Sequence, residues 1–397
     1  MSEIHKVQLR PDRVKNILGG HPWVFSGALA AIPRIPDGFI VKVLAGSQFV
    51  ATGYYNSHTD IAIRILSLRD EPIDAKFFAE RFRLLRRRKE EWLPAKTNCY
   101  RAVFGEADGV PGLVVDKYNN VLVCQFHTLG MDRLKSLVVD GLLKAFSPAT
   151  IVERSDVGVR KMEGLDNQPI GILHGKAVTE VEVEEQGFKF LVNVIEGQKT
   201  GFFLDQRENR QAITRFCKGR SVVNCFSYTG GFSVYAAATA KRVVSVDISK
   251  PAMEVCRRNF ELNGFTRNDG PNPHEFLALD VFDYLKSMEA GAFDFIILDP
   301  PSFAKNKKQL PNAIKAYTTI NSKALEKLPD GGILVSSSCT SHVDNGTFIK
   351  ILNQAAINTR CTLKVLDSRE QPFDHPYNLA FPEGRYLKFI IMQKYAR

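Results

Sequence analysis

Three absences narrow what this 397-residue chain can do. Its seven cysteines, at 99, 124, 217, 225, 256, 339 and 361, include no C-x-x-C pair and no Cys/His cluster at zinc spacing. Their odd number and scattered placing argue against a disulfide framework and a structural metal, and predict reduced thiols in a cytoplasm. No apolar run approaches the ~18 residues that a membrane helix needs, and the opening MSEIHKVQLRPDR is too polar for a secretory signal. The glycine fingerprint that cradles a pyrophosphate, G-x-G-x-x-G, is missing, which argues against a nicotinamide dehydrogenase. Internal repeats and low-complexity tracts are missing as well.

What is present is ordinary in bulk. Hydrophobic residues make up 44% and charged residues 24%, as in soluble globular proteins, and the length calls for two or three domains. A formal charge of +10 suits a polyanionic partner, most simply nucleic acid. The first ~70 residues hold short strand candidates, DGFIVKVL, QFVATGYYN and IAIRIL, broken by Gly, Asn and Ser, and predict a compact β-rich domain over 1–72. From Asp74 to Trp92 the period changes: Phe78, Phe82, Leu85 and Trp92 share one helical stripe, with Arg81, Arg83, Arg86, Arg87, Arg88 and Lys89 on the remaining surface. That basic face is read as solvated, slightly ahead of RNA contact. This helix opens a mixed α+β domain over 73–192, with GVPGLVVDKYNNVLVCQF as strand, tight turn and strand.

In a third domain over 193–397 the rhythm becomes regular from about Ser221 onward. SVVNCF, RVVSVDI, EFLALD, FDFIILD and GILVSSS are strand-like apolar runs, each followed by a helical candidate, which implies a parallel α/β sheet covered on both faces. TLKVLDS and RYLKFIIMQK have no helix between them and are expected to form an antiparallel edge.

Ligands of such sheets sit beyond the carboxyl ends of the strands. The first strand ends in NCFSYTGGFS, where Tyr228, Thr229, Gly230 and Gly231 form a turn that lets the backbone approach a ligand closely. Asp247 closes the second strand, placed to accept both hydroxyls of a ribose; Asp280 closes the third, placed for an adenine amino group. Each acid could instead cap the next helix. Taken jointly, the turn and the two acids favour adenosine without a diphosphate, a description that S-adenosylmethionine fits. The fourth strand ends in ILDPPSF: Asp299, Pro300 and Pro301 make a rigid turn, and Phe303 offers a flat surface on which a base could stack. Lys305, Lys307 and Lys308 follow and can meet phosphates.

The fifth strand delivers Cys339, next to the Asp299 strand in the usual order. Carbon 5 of a pyrimidine is a poor nucleophile until a thiolate adds to carbon 6, so a thiol and a carboxyl at one base suit methylation there. The inert alternative is a small buried hydrophobe.

These blocks carry a family resemblance that runs nearly end to end. HPWVFSGAL, RSDVGVRKMEGL, KTGFFLDQRENR, NCFSYTGGFSV, DPPSF, SSSC and DHPYNLAFPEGRYLK resemble those of the bacterial large-subunit ribosomal RNA 5-methylcytosine methyltransferases with an N-terminal PUA domain. The resemblance implies a class I methyltransferase (Rossmann-like) fold, S-adenosylmethionine as donor and a cytosine of 23S rRNA as acceptor. It adds Phe202, Asp205, Gln206 and Arg207 to the cofactor candidates, and Cys339 matches the nucleophile position. One departure stands out. Many other RNA 5-methylcytosine enzymes carry Pro-Cys after the motif aspartate, whereas this chain has Pro300-Pro301, a mark also of amino-group methyltransferases. Methylation of a ring or exocyclic nitrogen, needing no thiol, is the alternative; an assembly factor without catalysis ranks below it.

Overall fold

The structure is a computed structural model and describes residues 5–266, 273–304 and 306–397. It falls into two compact units, one of Met1–Gln186, Val192–Leu204 and Phe373–Gly384, the other of Gly187–Leu191, Asp205–Pro372 and Arg385–Arg397. Among the described residues no helix is long and apolar enough to cross a membrane.

The first unit holds two five-stranded sheets. In one, the order is His5–Gln8, Ile40–Ala45, Gln48–Tyr55, Ile61–Ser67 and Trp23–Phe25, closing over Val7, Val41, Val43, Val50 and Ile63. In the other, Val121–Phe126 lies between Thr150–Arg154 and Leu113–Tyr118, and the Asn119 turn adopts a left-handed φ of 55° as a two-residue hairpin requires. The helix Ala75–Trp92 starts where Asp74 accepts the Phe77 N–H at 2.8 Å, and it buries Phe78, Phe82 and Leu85. Its basic face is less solvated than the stripe suggested. Arg81 donates to the carbonyls of Leu66 and Gly109, Arg86 to Glu90 and the Ala145 carbonyl, and Lys89 is buried against Asp108 and the carbonyls of Arg101 and Asp374. The long stems cover apolar surface while the charged heads hold backbone oxygens.

The second unit is a seven-stranded sheet. Its strands are β1 (Ser221–Cys225), β2 (Arg242–Asp247), β3 (Glu275–Ala278), β4 (Phe295–Leu298), β5 (Ile333–Ser338), β6 (Cys361–Arg369) and β7 (Lys388–Ala396), in the order β3-β2-β1-β4-β5-β7-β6. β1 to β5 run parallel, and every residue of β4 and β5 is buried, as a sheet covered on both faces requires. The helices are α1 (Arg207–Cys217), α2 (Gly231–Ala237), α3 (Lys250–Leu262), α4 (Val281–Ser287), α5 (Leu310–Lys327) and α6 (Asn345–Asn358). β6 and β7 pair antiparallel as expected, but only β6 is an edge: β7 is inserted between β5 and β6, antiparallel to both. The run KFIIM at the start of β7 is buried, whereas most of β6 is exposed, so the more hydrophobic strand takes the interior. Strand order reverses between β1 and β4, the switch point where open α/β sheets bind ligands.

Candidate active site at the carboxyl edge of the sheet

The turn after β1 carries three left-handed residues in five: Phe226 (φ 61°), Tyr228 (φ 48°) and Gly230 (φ 83°). Two of these are not glycine, and such conformations cost about 1–3 kcal/mol each unless the surroundings hold them. Asp247 does the holding. Its Oδ2 accepts the Tyr228 N–H at 2.9 Å and its Oδ1 accepts the Ser249 N–H at 2.9 Å, so one carboxylate ties together the turns after β1 and β2. Asn259 adds a bond to the Thr229 carbonyl at 2.8 Å, while the buried Thr229 Oγ1 has no hydrogen-bond partner among the described residues. These features suit an adenosine: a carboxylate with acceptor capacity left, an orphaned hydroxyl and a tightly folded backbone.

Gly230 has no room for a side chain. A Cβ there would lie 2.3 Å from the Cys256 Sγ, on a backbone whose φ already disfavours L residues. Gly230→Ala is expected to lower stability by about 2–4 kcal/mol, from strain and overpacking together. In a denaturant titration, adding Cys256→Ala should recover the packing part and leave the strain.

Asp280 is exposed and caps α4, its Oδ1 accepting the N–H groups of Phe282 and Asp283 at 2.8 and 3.1 Å. The capping alternative therefore describes one of its oxygens. Phe202 falls in the other unit, buried where the Tyr118 hydroxyl meets its N–H at 3.2 Å.

Gln206 bridges two strand ends. Its Nε2 donates to the Asp299 Oδ1 at 2.9 Å and to the Ser337 Oγ at 3.0 Å, and its Oε1 accepts from the Asn209 Nδ2 at 2.6 Å. Since Leu298 pairs with Ser336, Asp299 lies beside Ser337, two residues from Cys339. Asp205 accepts from the Tyr386 hydroxyl at 2.8 Å, and Arg207 is wholly buried beside Glu208. Pro300 is buried, Pro301 exposed. Phe303 is half-buried, packed edge-to-face on Tyr317 with centroids 4.7 Å apart, so part of its ring already has a partner. Lys307 and Lys308 are exposed on the short turn Lys307–Gln309; Lys305 lies outside the described residues.

Cys339 alone among the seven cysteines is not buried. Burial pushes the Cys225 and Cys256 thiols up to about 12, so neither can serve as a second nucleophile. Around Cys339 runs a set of hydroxyls that the motifs did not single out. Ser338 Oγ donates to the Tyr317 hydroxyl at 3.0 Å, Tyr317 meets Thr340 Oγ1 at 2.9 Å, and Thr340 meets Ser302 Oγ at 3.0 Å. Burial, opposed by those hydroxyls and reinforced by the charges of Cys339 and Asp299, raises the Tyr317 phenol to about 12 and keeps it neutral at physiological pH. The SSSCTS run hinted at the hydroxyls, but Tyr317, on α5, gave no sequence signal. Lys388, quoted within RYLK, also went unassigned; its Nζ donates to the carbonyls of Thr340 at 2.6 Å and Tyr386 at 2.7 Å.

Comparison with known proteins gives the family and the fold. The family described as S-adenosylmethionine-dependent methyltransferase matches residues 128–379, and the PUA-like domain matches residues 7–68. Ribosomal RNA large subunit methyltransferase I of Vibrio cholerae is 39% identical over 389 residues, covering 96% of this chain and 97% of its own. The protein of the same name from Aeromonas salmonicida is 38% identical over 395 residues, covering 98% of each. A solved chain from Streptococcus mutans, described as a SAM-dependent methyltransferase, shares the fold with a TM-score of 0.81 at 23% identity, over 98% of this chain and 100% of its own. A second methyltransferase structure, complexed with SAH, gives 0.83 at 23% identity with the same coverage. The cofactor is S-adenosylmethionine, and the chain belongs to the S-adenosylmethionine-dependent methyltransferases, within the family of ribosomal RNA large subunit methyltransferase I.

Proposed function

We propose that the protein methylates carbon 5 of a cytosine in 23S ribosomal RNA through a covalent adduct on Cys339. The observation that carries this reading is the placing of the one cysteine that is not buried, directly after β5, beside the strand that Asp299 directly follows. The thiolate of Cys339 adds to carbon 6, and the electrons of the ring double bond move to carbon 5, which becomes nucleophilic. Bound S-adenosylmethionine supplies the electrophilic methyl group. Asp299, steadied by Gln206, holds the hydrogen-bonding edge of the base. The carbon 5 proton then leaves to Asp299 or to water, the carbon–sulfur bond breaks, and the aromatic ring is restored. With Cys225 buried and Pro301 standing where related enzymes carry a thiol, product release uses no second cysteine.

Tyr228, Thr229, Gly230, Gly231, Asp247, Asp280, Gln206 and Arg207 are proposed to hold the donor. Pro300, Pro301 and Phe303 shape the base slot, and Lys307 and Lys308 meet phosphates. The PUA-like domain holds the RNA by shape and backbone contacts. Nitrogen methylation remains the competing reading, because the Asp-Pro-Pro turn serves both chemistries. Mass spectrometry of nucleosides from 23S rRNA incubated with the protein and S-adenosylmethionine decides between them: 5-methylcytidine is expected, and an N-methylated nucleoside would overturn the covalent route.

A further inference from the structure

Lys388 opens β7, and the register pairs it with Ser338, the residue before Cys339. It is only 6% exposed, so its ammonium has been taken out of water. Two of its three protons go to backbone carbonyls, those of Thr340 and Tyr386. Among the described residues the third has no hydrogen-bond partner and no carboxylate lies within ion-pair distance. A buried cation without a counter-ion is expensive and is retained where something uses it. The charged groups that act on it are Cys339 and Asp344 from the segment after β5, and Glu370 after β6. Asp344 is engaged as the cap of α6, and Glu370 is ion-paired with Arg385. The thiol is the foremost of the three, and the ammonium is bonded to the carbonyl of the residue that follows it.

We propose that Lys388 is the counter-ion of the Cys339 thiolate, the charged group that makes this cysteine a nucleophile. The inference rests on the covalent reading for its purpose, but its physical content, coupling between one ammonium and one thiol, stands apart from the product formed. A free thiol is only a few per cent ionised at neutral pH, and an opposite charge close by favours the ionised form. The reciprocal effect is visible on the lysine. Desolvation brings Lys388 down to about 8, and the charge of Cys339 opposes that fall. Protonation of Lys388 and ionisation of Cys339 therefore favour each other, and the pair weakens as pH rises through about 8 and the lysine loses its proton. Tyr317, whose hydroxyl meets those beside Cys339, is neutral over this range and supplies no charge, whereas the Asp299 carboxyl on the neighbouring strand end is a group whose negative charge disfavours the thiolate. Lys388 acts through the sulfur and is a positioning residue rather than a catalytic one.

The test is the pH profile of Cys339 alkylation by iodoacetamide, read at that residue by mass spectrometry in full-length protein without RNA. Lys388→Met should raise the midpoint by about one pH unit and slow alkylation at neutral pH about tenfold, while Lys388→Arg should hold the midpoint near that of the unchanged protein. A midpoint that stays put in folded Lys388→Met overturns the proposal. Circular dichroism reports whether that variant folds. If it does not, the reciprocal measurement decides: in Cys339→Ser, the Lys388 titration followed by NMR of ¹³C-labelled lysine should move down by a similar amount, and an unmoved titration overturns the proposal. Failure here is separable from failure of the functional reading. Coupled groups with an N-methylated product would sink only the reading, and 5-methylcytidine with uncoupled groups would sink only the inference.

Discussion

On the proposed covalent route, Cys339→Ala is expected to reduce methyl transfer to rRNA by about 10³-fold or more, because the variant has no group that can add to carbon 6. Binding of S-adenosylmethionine should be unaffected. The thiol is partly exposed at a strand end, so its loss opens no sealed cavity. Cys339→Ser should be nearly as inactive, since a hydroxyl is far less ionised than a thiol. RNA carrying 5-fluorocytosine at the target should hold the unchanged enzyme in a complex that survives denaturation, because fluorine cannot leave as the proton does. Direct attack by a nitrogen predicts the reverse on every count: Cys339→Ala keeps full activity, and no denaturation-resistant complex forms. Methylation assays and denaturing gels on these proteins separate the two.

Asp247→Ala should weaken S-adenosylmethionine binding about 100-fold. The carboxylate fastens the strained turn through the Tyr228 N–H and the next turn through the Ser249 N–H, and it is the residue proposed to take the ribose hydroxyls. Hydrogen bonds to a charged group are worth about 1.5–3 kcal/mol, and each 1.4 kcal/mol is tenfold in affinity, so losing two or more such contacts gives a loss of that order. Asp247→Asn keeps the shape and part of the acceptor capacity and should fall between. Calorimetry with S-adenosylmethionine reads the effect directly. An unchanged affinity in folded Asp247→Ala would remove this residue from the site.

Much of the sheet was legible in the sequence because its strands are buried on both faces: runs such as FIIL leave no ambiguity of period, and Asp247 closes β2 while Asp299 directly follows β4. Asp247, Asp299 and Cys339 could be singled out for that reason. What sequence could not show was partnership across the fold. Gln206, on the first turn before α1, reaches Asp299 and Ser337, 93 and 131 residues away in the chain. Tyr317 faces the hydroxyls of β5 from a helix whose period marks it only as core. Lys89 read as a surface residue because lysine usually is, and Lys388 drew no reading; both are buried by backbone carbonyls that no residue pattern reveals. Phe303 looked like an open platform because Tyr317 could not be placed beside it. In each case the missing term was a long-range contact to a side chain or carbonyl.

The position of β7 bears on how the catalytic half is made. This strand follows the other six in the chain but lies inside the sheet, so while the protein emerges from the ribosome β5 presents a bare edge of backbone donors and acceptors. That edge closes only when the stretch beginning at Lys388 docks, and the same event brings the lysine to the cysteine. On the proposed pairing, a nascent chain displays the thiol before its ammonium arrives, and vectorial synthesis itself delays arming of Cys339 until the sheet is whole.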